Sequence, residues 1–192
     1  MSDGNGQDGA VVITWGPIPL SNICFPAGTP IKTDQGIVPI QFICPGNHTI
    51  NNLPIKYITT TLTIDSYLIS FAPHSIRTNC PTQTTIMTKD HQILFEGKLV
   101  AAYRFLEYSD NVTKVKYSGE VLYNVLLPVH STLFVNNMEC ETLHPDNIIA
   151  KIYTSNMNHI HKNEVITIMN ESLKNKDGET YKNVINRISH IK

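Results

Sequence analysis

The chain has 192 residues, of which 41% are hydrophobic and 16% are charged, and its formal net charge is -1. This length and apolar content suffice for a domain with a sizeable core, and so small a charge excludes a sequence-wide attraction to nucleic acid or to an anionic membrane. No apolar run reaches the roughly 20 residues of a membrane span and no signal peptide is visible, so we expect a cytoplasmic protein.

Residues 1–22 are the first predicted segment, a flexible N-terminal extension that opens with a Gly-, Asp- and Asn-rich stretch. In residues 23–147 the composition changes to short runs of Thr, Ile, Val, Tyr and Leu. These runs are separated by turn residues such as Asn136-Asn137. This texture is typical of many short antiparallel strands and predicts an all-β domain. We predict strands at 37–42, 56–64, 84–87, 92–95, 112–117, 122–127 and 132–135.

Residues 148–192 have apolar positions spaced by three or four, as on the face of a helix. Asp177-Gly178 is a break within this segment. The sequence therefore predicts a polar, helical C-terminal tail of two short helices, which either packs on the β domain or binds a protein partner.

The four cysteines, Cys24, Cys44, Cys80 and Cys140, form no Cys-x-x-Cys pair. Zinc-ribbon spacing is therefore absent, and we predict neither a metal nor a cofactor. Cys44 and Cys80 are interpreted as core or loop thiols, and Cys140 as a packing residue.

Three segments stand in series along the β region. They are Cys24-Phe25-Pro26-Ala27-Gly28-Thr29, then Thr88-Lys89-Asp90-His91 before an apolar strand, then Leu122-Tyr123-Asn124-Val125-Leu126-Leu127 leading through His130 to Glu141-Thr142-Leu143. Their order and spacing over about 23–147 resemble the Hint (hedgehog/intein) domain, in the branch found as stand-alone domains of bacterial and viral proteins. The resemblance implies a Hint-like horseshoe of short antiparallel strands. Since no signal peptide or membrane span is visible, we expect the protein in the cytoplasm or, for a viral protein, in the host cytoplasm.

The resemblance also implies autoprocessing by an N-to-S acyl shift. The thiol of Cys24 would attack the carbonyl of Ile23, form a thioester and allow cleavage of the Ile23-Cys24 bond, with water or an external nucleophile as acyl acceptor. Thr88 and His91 would hydrogen-bond to that peptide, His91 protonating the leaving nitrogen with a pKa near an unperturbed value of about 6.5. His130 matches a histidine of this branch and is a candidate general base.

Each candidate also has an ordinary structural interpretation: Cys24 as a core sulfur, Thr88 as a turn hydroxyl, and His91 and His130 as hydrogen-bonded histidines. Splicing is not expected, because His144 and Asn147 are separated and Ile148 follows. The tail is too short and polar for a sterol-recognition region. The alternatives to autoprocessing are a non-catalytic Hint-like structural or interaction module and a Cys-His hydrolase with Cys24 facing solvent.

Overall fold

The computed structural model describes residues 23–175 and 177–189, so the predicted extension at 1–22 lies outside the described residues. Short strands alternate with turns over the first part of the described residues, and three α-helices follow them. The strands are β1 (Phe25–Pro26), β2 (Pro30–Thr33), β3 (Gly36–Pro39), β4 (Thr49–Ile50), β5 (Leu53–Pro54), β6 (Tyr57–Thr61), β7 (Tyr67–Phe71), β8 (Thr85–Met87), β9 (Gln92–Phe95), β10 (Lys98–Ala101), β11 (Val112–Lys116), β12 (Leu122–Leu126), β13 (Thr132–Val135) and β14 (Met138–Glu141). The helices are α1 (Ile148–Thr154), α2 (His159–Lys174) and α3 (Gly178–Ser189).

The strands pair antiparallel in every sheet of the described residues, which confirms the predicted all-β class. The largest sheet has the order β10-β9-β14-β13-β2-β3, and two three-stranded sheets have the orders β1-β12-β6 and β11-β7-β8. Inward-facing side chains of these sheets and of the 3₁₀ segment Ala102–Leu106, among them Phe25, Phe71 and Phe105, form one continuous apolar core. Short β1 is therefore held between the core and its partner β12.

Two differences from the predicted strands have clear physical causes. The strand predicted at 37–42 is too long, because β3 ends at Pro39 and residues Ile40–Phe42 form a 3₁₀ turn that buries Ile40. Strand β7 was not predicted, because two consecutive residues within it, Leu68 and Ile69, are both buried. A strand that is covered on both faces lacks the alternation of polar and apolar residues by which a half-buried strand is recognised.

The described part of the C-terminal segment is helical, as predicted, but it contains three helices rather than two. The break at 177–178 is confirmed: α3 begins there, and Asp177 Oδ1 accepts a hydrogen bond from Thr180 N–H at 3.0 Å. Helix α1 was missed because it has only seven residues; its start is capped by Asn147, which accepts from Ile149 N–H at 2.9 Å.

The helices bury a second apolar cluster against the β domain. Ile149 and Ile152 of α1 are 1% and 0% exposed and belong to the same cluster as Leu126 of β12 and Leu143. Ile23, the residue on the acyl side of the Ile23-Cys24 bond, packs against this cluster. The helical segment therefore forms part of the surroundings of that bond.

Candidate functional site

Cys24 is held against the residue that follows β8. Its backbone N–H donates to Thr88 Oγ1 at 2.8 Å, and its backbone carbonyl accepts from Thr88 N–H at 3.0 Å. Thr88 itself is 1% exposed. The structure therefore brings together two of the predicted site residues, and the Thr88 side chain contacts the nitrogen of the Ile23-Cys24 peptide.

The carbonyl of the same peptide has its own side-chain partner, which sequence reasoning did not assign. Asn124 Nδ2 donates a hydrogen bond to the Ile23 carbonyl oxygen, and Asn124 Oδ1 accepts from Val125 N–H at 2.7 Å. Strand β1 pairs with β12 so that Phe25 faces Tyr123, and the next position along this register sets Asn124 opposite Cys24. Strand pairing thus aims the Asn124 amide at the Ile23 carbonyl.

A signal for Asn124 was present in the sequence. Asparagine is uncommon in strands, yet Asn124 interrupts the run Leu-Tyr-Asn-Val-Leu-Leu and is 1% exposed. A buried polar side chain requires hydrogen-bond partners, so an asparagine in a buried strand indicates a specific contact. The identity of that contact depended on the pairing of β1 with β12.

The side chain of Cys24 lies in a small apolar cluster with Leu68, Tyr117 and Leu122. Burial raises the pKa of the Cys24 thiol well above its usual range. The thiol is therefore neutral at physiological pH, and any reaction of the sulfur requires a group that accepts its proton. Cys24 is 2% exposed, which does not meet the requirement of the hydrolase alternative for a solvent-facing sulfur.

His91 is fully buried, and its ring packs on Phe25 with 4.2 Å between ring centroids. The Nε2 atom lies 3.1 Å from the backbone carbonyl oxygen of Glu141. A carbonyl can only accept, so Nε2 carries the hydrogen and Nδ1 is the unprotonated nitrogen of the neutral ring. Among the described residues, Nδ1 makes no hydrogen bond of acceptable geometry, although the backbone oxygen of Cys24 lies close enough to the ring to influence its pKa.

Burial lowers the pKa of His91 to about 4, and the backbone oxygens of Glu141 and Cys24 oppose this shift only in part. The expected titration near 6.5 is therefore wrong. At pH 7 only about one molecule in a thousand would carry the imidazolium. The neutral ring can act as a general acid only after it has accepted a proton.

The lowered pKa of His91 predicts a loss of stability in acid. In the unfolded chain a histidine has a pKa of about 6.5, so between about pH 6.5 and pH 4 the unfolded state binds more protons than the folded state. We expect this group alone to lower the free energy of unfolding by up to about 3 kcal/mol as the pH falls through that window. Urea unfolding of wild type and of His91→Gln between pH 4 and pH 7 measures the contribution.

The comparison with His91→Gln is needed because Glu141 acts with the opposite sign. Burial raises the pKa of the Glu141 carboxyl to about 7, so in the same window the folded state holds a proton that the unfolded state releases. This contribution is common to both proteins and cancels in the difference. Equal pH dependence in wild type and His91→Gln would contradict the assignment for His91.

His130 is partly exposed and contacts Glu141. Its Nε2 lies 3.4 Å from Glu141 Oε2, and its ring centroid lies 4.9 Å from that of His144. Burial and the neighbouring His144 lower the pKa of His130. His130 thus contacts the side chain of the residue whose backbone carbonyl binds the His91 ring.

The turn after β1 explains the glycine of the first motif. Gly28 has a φ of +84°, the left-handed region that side chains with a Cβ rarely adopt, and its N–H donates to Gln41 Oε1 at 2.7 Å. Thr29 Oγ1 donates to the Pro26 carbonyl at 2.8 Å across this turn. Of the other thiols, Cys140 is fully buried in the core as predicted, Cys80 is also buried, and Cys44 is exposed.

The geometry agrees with the comparison to known families. A family model described as a Hint domain matches residues 23–147, which is most of the chain, and the chain belongs to that family. No curated protein matches it. The match begins at Ile23, the first residue of the Ile23-Cys24 peptide.

Two further properties of the described residues bear on the site. They contain no group of three or more His, Cys, Asp or Glu side chains that could hold a metal ion. Within 23–175 and 177–189, no helix is long and apolar enough to cross a membrane.

Proposed function

We propose that this Hint domain cleaves its own chain at Ile23-Cys24 by an N-to-S acyl shift, without splicing. Cys24 supplies the nucleophile, and water or an external thiol or amine is the acyl acceptor. The products are a peptide ending at Ile23 and a protein beginning with Cys24.

One observation carries this proposal: both polar atoms of the Ile23-Cys24 amide are bound by buried side chains. Asn124 donates to the carbonyl oxygen, and Thr88 Oγ1 accepts from the N–H. Attack on the carbonyl puts negative charge on its oxygen, where a preorganised donor is worth most. A simple β-bridge would have used backbone groups for these contacts.

The proton balance of the shift gives His91 a role. The Sγ–C bond forms as the C–N bond breaks, the thiol loses a proton, and the new α-amine of Cys24 gains one. Burial raises the pKa of the thiol and lowers that of the imidazole, so complete proton transfer between them before attack is unfavourable. In this proposal Nδ1 of His91 takes the thiol proton only as the Sγ–C bond forms and delivers it to the leaving nitrogen. No net charge then has to enter or leave this buried site.

The second step transfers the acyl group to the acceptor. The acceptor's nucleophilic atom bonds to the Ile23 carbonyl carbon, the C–S bond breaks, and the Cys24 thiol recovers a proton from the acceptor. In this proposal the Asn124 amide, which donates to the Ile23 carbonyl oxygen in the intact chain, stabilises the charge on that oxygen in both steps.

A non-catalytic Hint-like module is the second candidate function. It is favoured by the apolar surroundings of the sulfur, which disfavour the thiolate. A protein partner would then bind through residues 148–192, where Ile160 is 71% exposed and Ile168 is 42% exposed on α2. The two candidates differ in whether the Ile23-Cys24 bond breaks.

The first test is the intact mass of freshly purified full-length protein incubated with hydroxylamine or a millimolar thiol. We expect slow appearance of a fragment that begins at Cys24, because these nucleophiles capture a thioester in equilibrium with the amide. Cys24→Ala should stay intact. Cys44→Ala, which removes an exposed thiol elsewhere, is the matched control and should cleave like wild type.

Two outcomes would overturn the proposal. Cleavage at the same bond in Cys24→Ala would exclude the thioester, since that variant has no attacking sulfur. A wild-type chain that stays intact while remaining folded would assign the protein to the non-catalytic alternative.

A further inference from the structure

Glu141, the last residue of β14, holds the segment that carries His91 at two points. Its backbone carbonyl accepts from His91 Nε2–H at 3.1 Å, and its side-chain Oε1 accepts from Gln92 N–H at 3.0 Å. The residue is 6% exposed. A buried glutamate thus binds both the ring of His91 and the peptide that follows it.

The pairing of two strands produces this arrangement. Cys140 of β14 faces Ile93 of β9, so the next residues along the antiparallel register, Glu141 and Gln92, lie opposite each other. His91 is held from the other side as well, because its own carbonyl accepts from Ala102 N–H at 2.8 Å. The imidazole is therefore positioned by contacts at its backbone and at Nε2.

The second oxygen of the Glu141 carboxyl faces a histidine pair. Oε2 lies 3.4 Å from Nε2 of His130, and the ring of His130 packs near His144, whose Nδ1 lies 3.8 Å from Asp146 Oδ2. The carboxyl therefore has a partner on each oxygen, Gln92 N–H on one and His130 on the other. His130 reaches the site through this carboxyl.

We propose that Glu141 is a positioning residue for the acyl shift: its carbonyl selects the Nε2–H tautomer of His91, and its carboxyl keeps that carbonyl in register with the ring. This inference rests on the proposed function. It makes His130 a partner of Glu141 rather than the base that acts on the Cys24 thiol. Loss of the carboxyl would let the end of β14 shift relative to His91, and Nδ1 would lose its fixed position.

The test compares two substitutions in the full-length chain. Glu141→Met removes both carboxyl oxygens but keeps an unbranched side chain of similar length. Glu141→Gln keeps an oxygen that can accept from Gln92 N–H. Since burial disfavours the ionised carboxylate, as the raised pKa of Glu141 shows, we expect Glu141→Met to fold at neutral pH. Glu139→Gln is the matched control on the same strand, because the Glu139 carboxyl accepts from Thr132 Oγ1 and points to another site.

Hydroxylamine-induced cleavage per folded molecule is the first readout. We expect Glu141→Met to be slower than wild type by about tenfold to a hundredfold, the scale of a small misplacement of a reacting group. Glu141→Gln should recover most of the rate, and Glu139→Gln should match wild type. Wild-type cleavage in Glu141→Met, or a Gln variant as slow as Met, would overturn the proposal.

Nitrogen NMR of the His91 ring is the second readout, and it does not depend on cleavage. Wild type, Glu141→Gln and Glu139→Gln should show one tautomer protonated at Nε2, whereas Glu141→Met should show a mixture. An unchanged single tautomer in Glu141→Met would overturn the positioning role. If the wild-type chain is not cleaved but the NMR pattern is as expected, the proposed self-cleavage is overturned and the positioning of the His91 ring by Glu141 still holds. If Glu141→Met does not fold, Glu141→Gln decides the question by NMR. A single His91 tautomer in Glu141→Gln would support the proposal, and a mixture of tautomers would contradict it.

Discussion

Replacing Asn124 with alanine is expected to slow cleavage at Ile23-Cys24 by about a hundredfold to a thousandfold, the usual effect of removing one oxyanion donor. The reason is the contact of Asn124 Nδ2 with the Ile23 carbonyl oxygen. No other side chain of the described residues donates to that oxygen. The rate constant with hydroxylamine, followed by intact mass, measures the effect.

Stability must be measured on the same variant, because Asn124 is buried and its Oδ1 also accepts from Val125 N–H. We expect Asn124→Ala to lose about 1 to 3 kcal/mol of unfolding free energy, which separates folding from chemistry when rates are given per folded molecule. Thr59→Val is the matched control: Thr59 faces Asn124 across β6 and β12 and is buried, but does not contact the Ile23 carbonyl. A rate in Asn124→Ala no lower than that of Thr59→Val would exclude the oxyanion role.

Replacing His91 with alanine is expected to slow cleavage by about two or more orders of magnitude, the scale of a lost general acid-base group. His91→Gln should be as slow, because an amide can still donate to the Glu141 carbonyl but cannot accept and release a proton at neutral pH. The two variants should differ in stability, since only alanine leaves that carbonyl without a donor. Melting temperature and cleavage rate, measured together, distinguish the chemical role from the packing role.

His74→Ala is the control for removal of a histidine outside the site, where His74 Nδ1 accepts from Asn79 N–H at 2.9 Å. It should cleave at the wild-type rate. A His91→Gln variant that cleaves as fast as wild type would remove His91 from the reaction. It would leave His91 as a buried structural residue on Phe25.

The local sequence predicted the β-rich class and several strands because their signals are short-range. Strands β9 and β13 lie at the predicted bounds, since each is a short run that contains β-branched and aromatic residues and stands beside a turn. The sequence pattern did not predict strand β7 or helix α1, for two different reasons. Burial of neighbouring residues removes the alternation of a strand, and seven residues are too few to show a helical period.

The motifs likewise predicted that Cys24, Thr88 and His91 belong together, and the contacts of Cys24 with Thr88 agree. The motifs could not predict their electrostatics. The pKa of a side chain depends on what surrounds it in space, and burial lowers that of His91 while it raises those of Cys24 and Glu141.

By itself, the sequence determined the family, the pattern of short β-strands and the residue types available for an acyl shift. These depend on local composition and on the order of the motifs. Only the tertiary structure decided which side chains meet the Ile23-Cys24 peptide. Asn124 is 100 residues from Cys24 in the chain, and the pairing of β1 with β12 alone brings its amide to the Ile23 carbonyl. Glu141 meets His91 for the same reason, through the pairing of β14 with β9. The local sequence does not by itself identify which strand pairs with which, because several strands of this chain have compatible patterns.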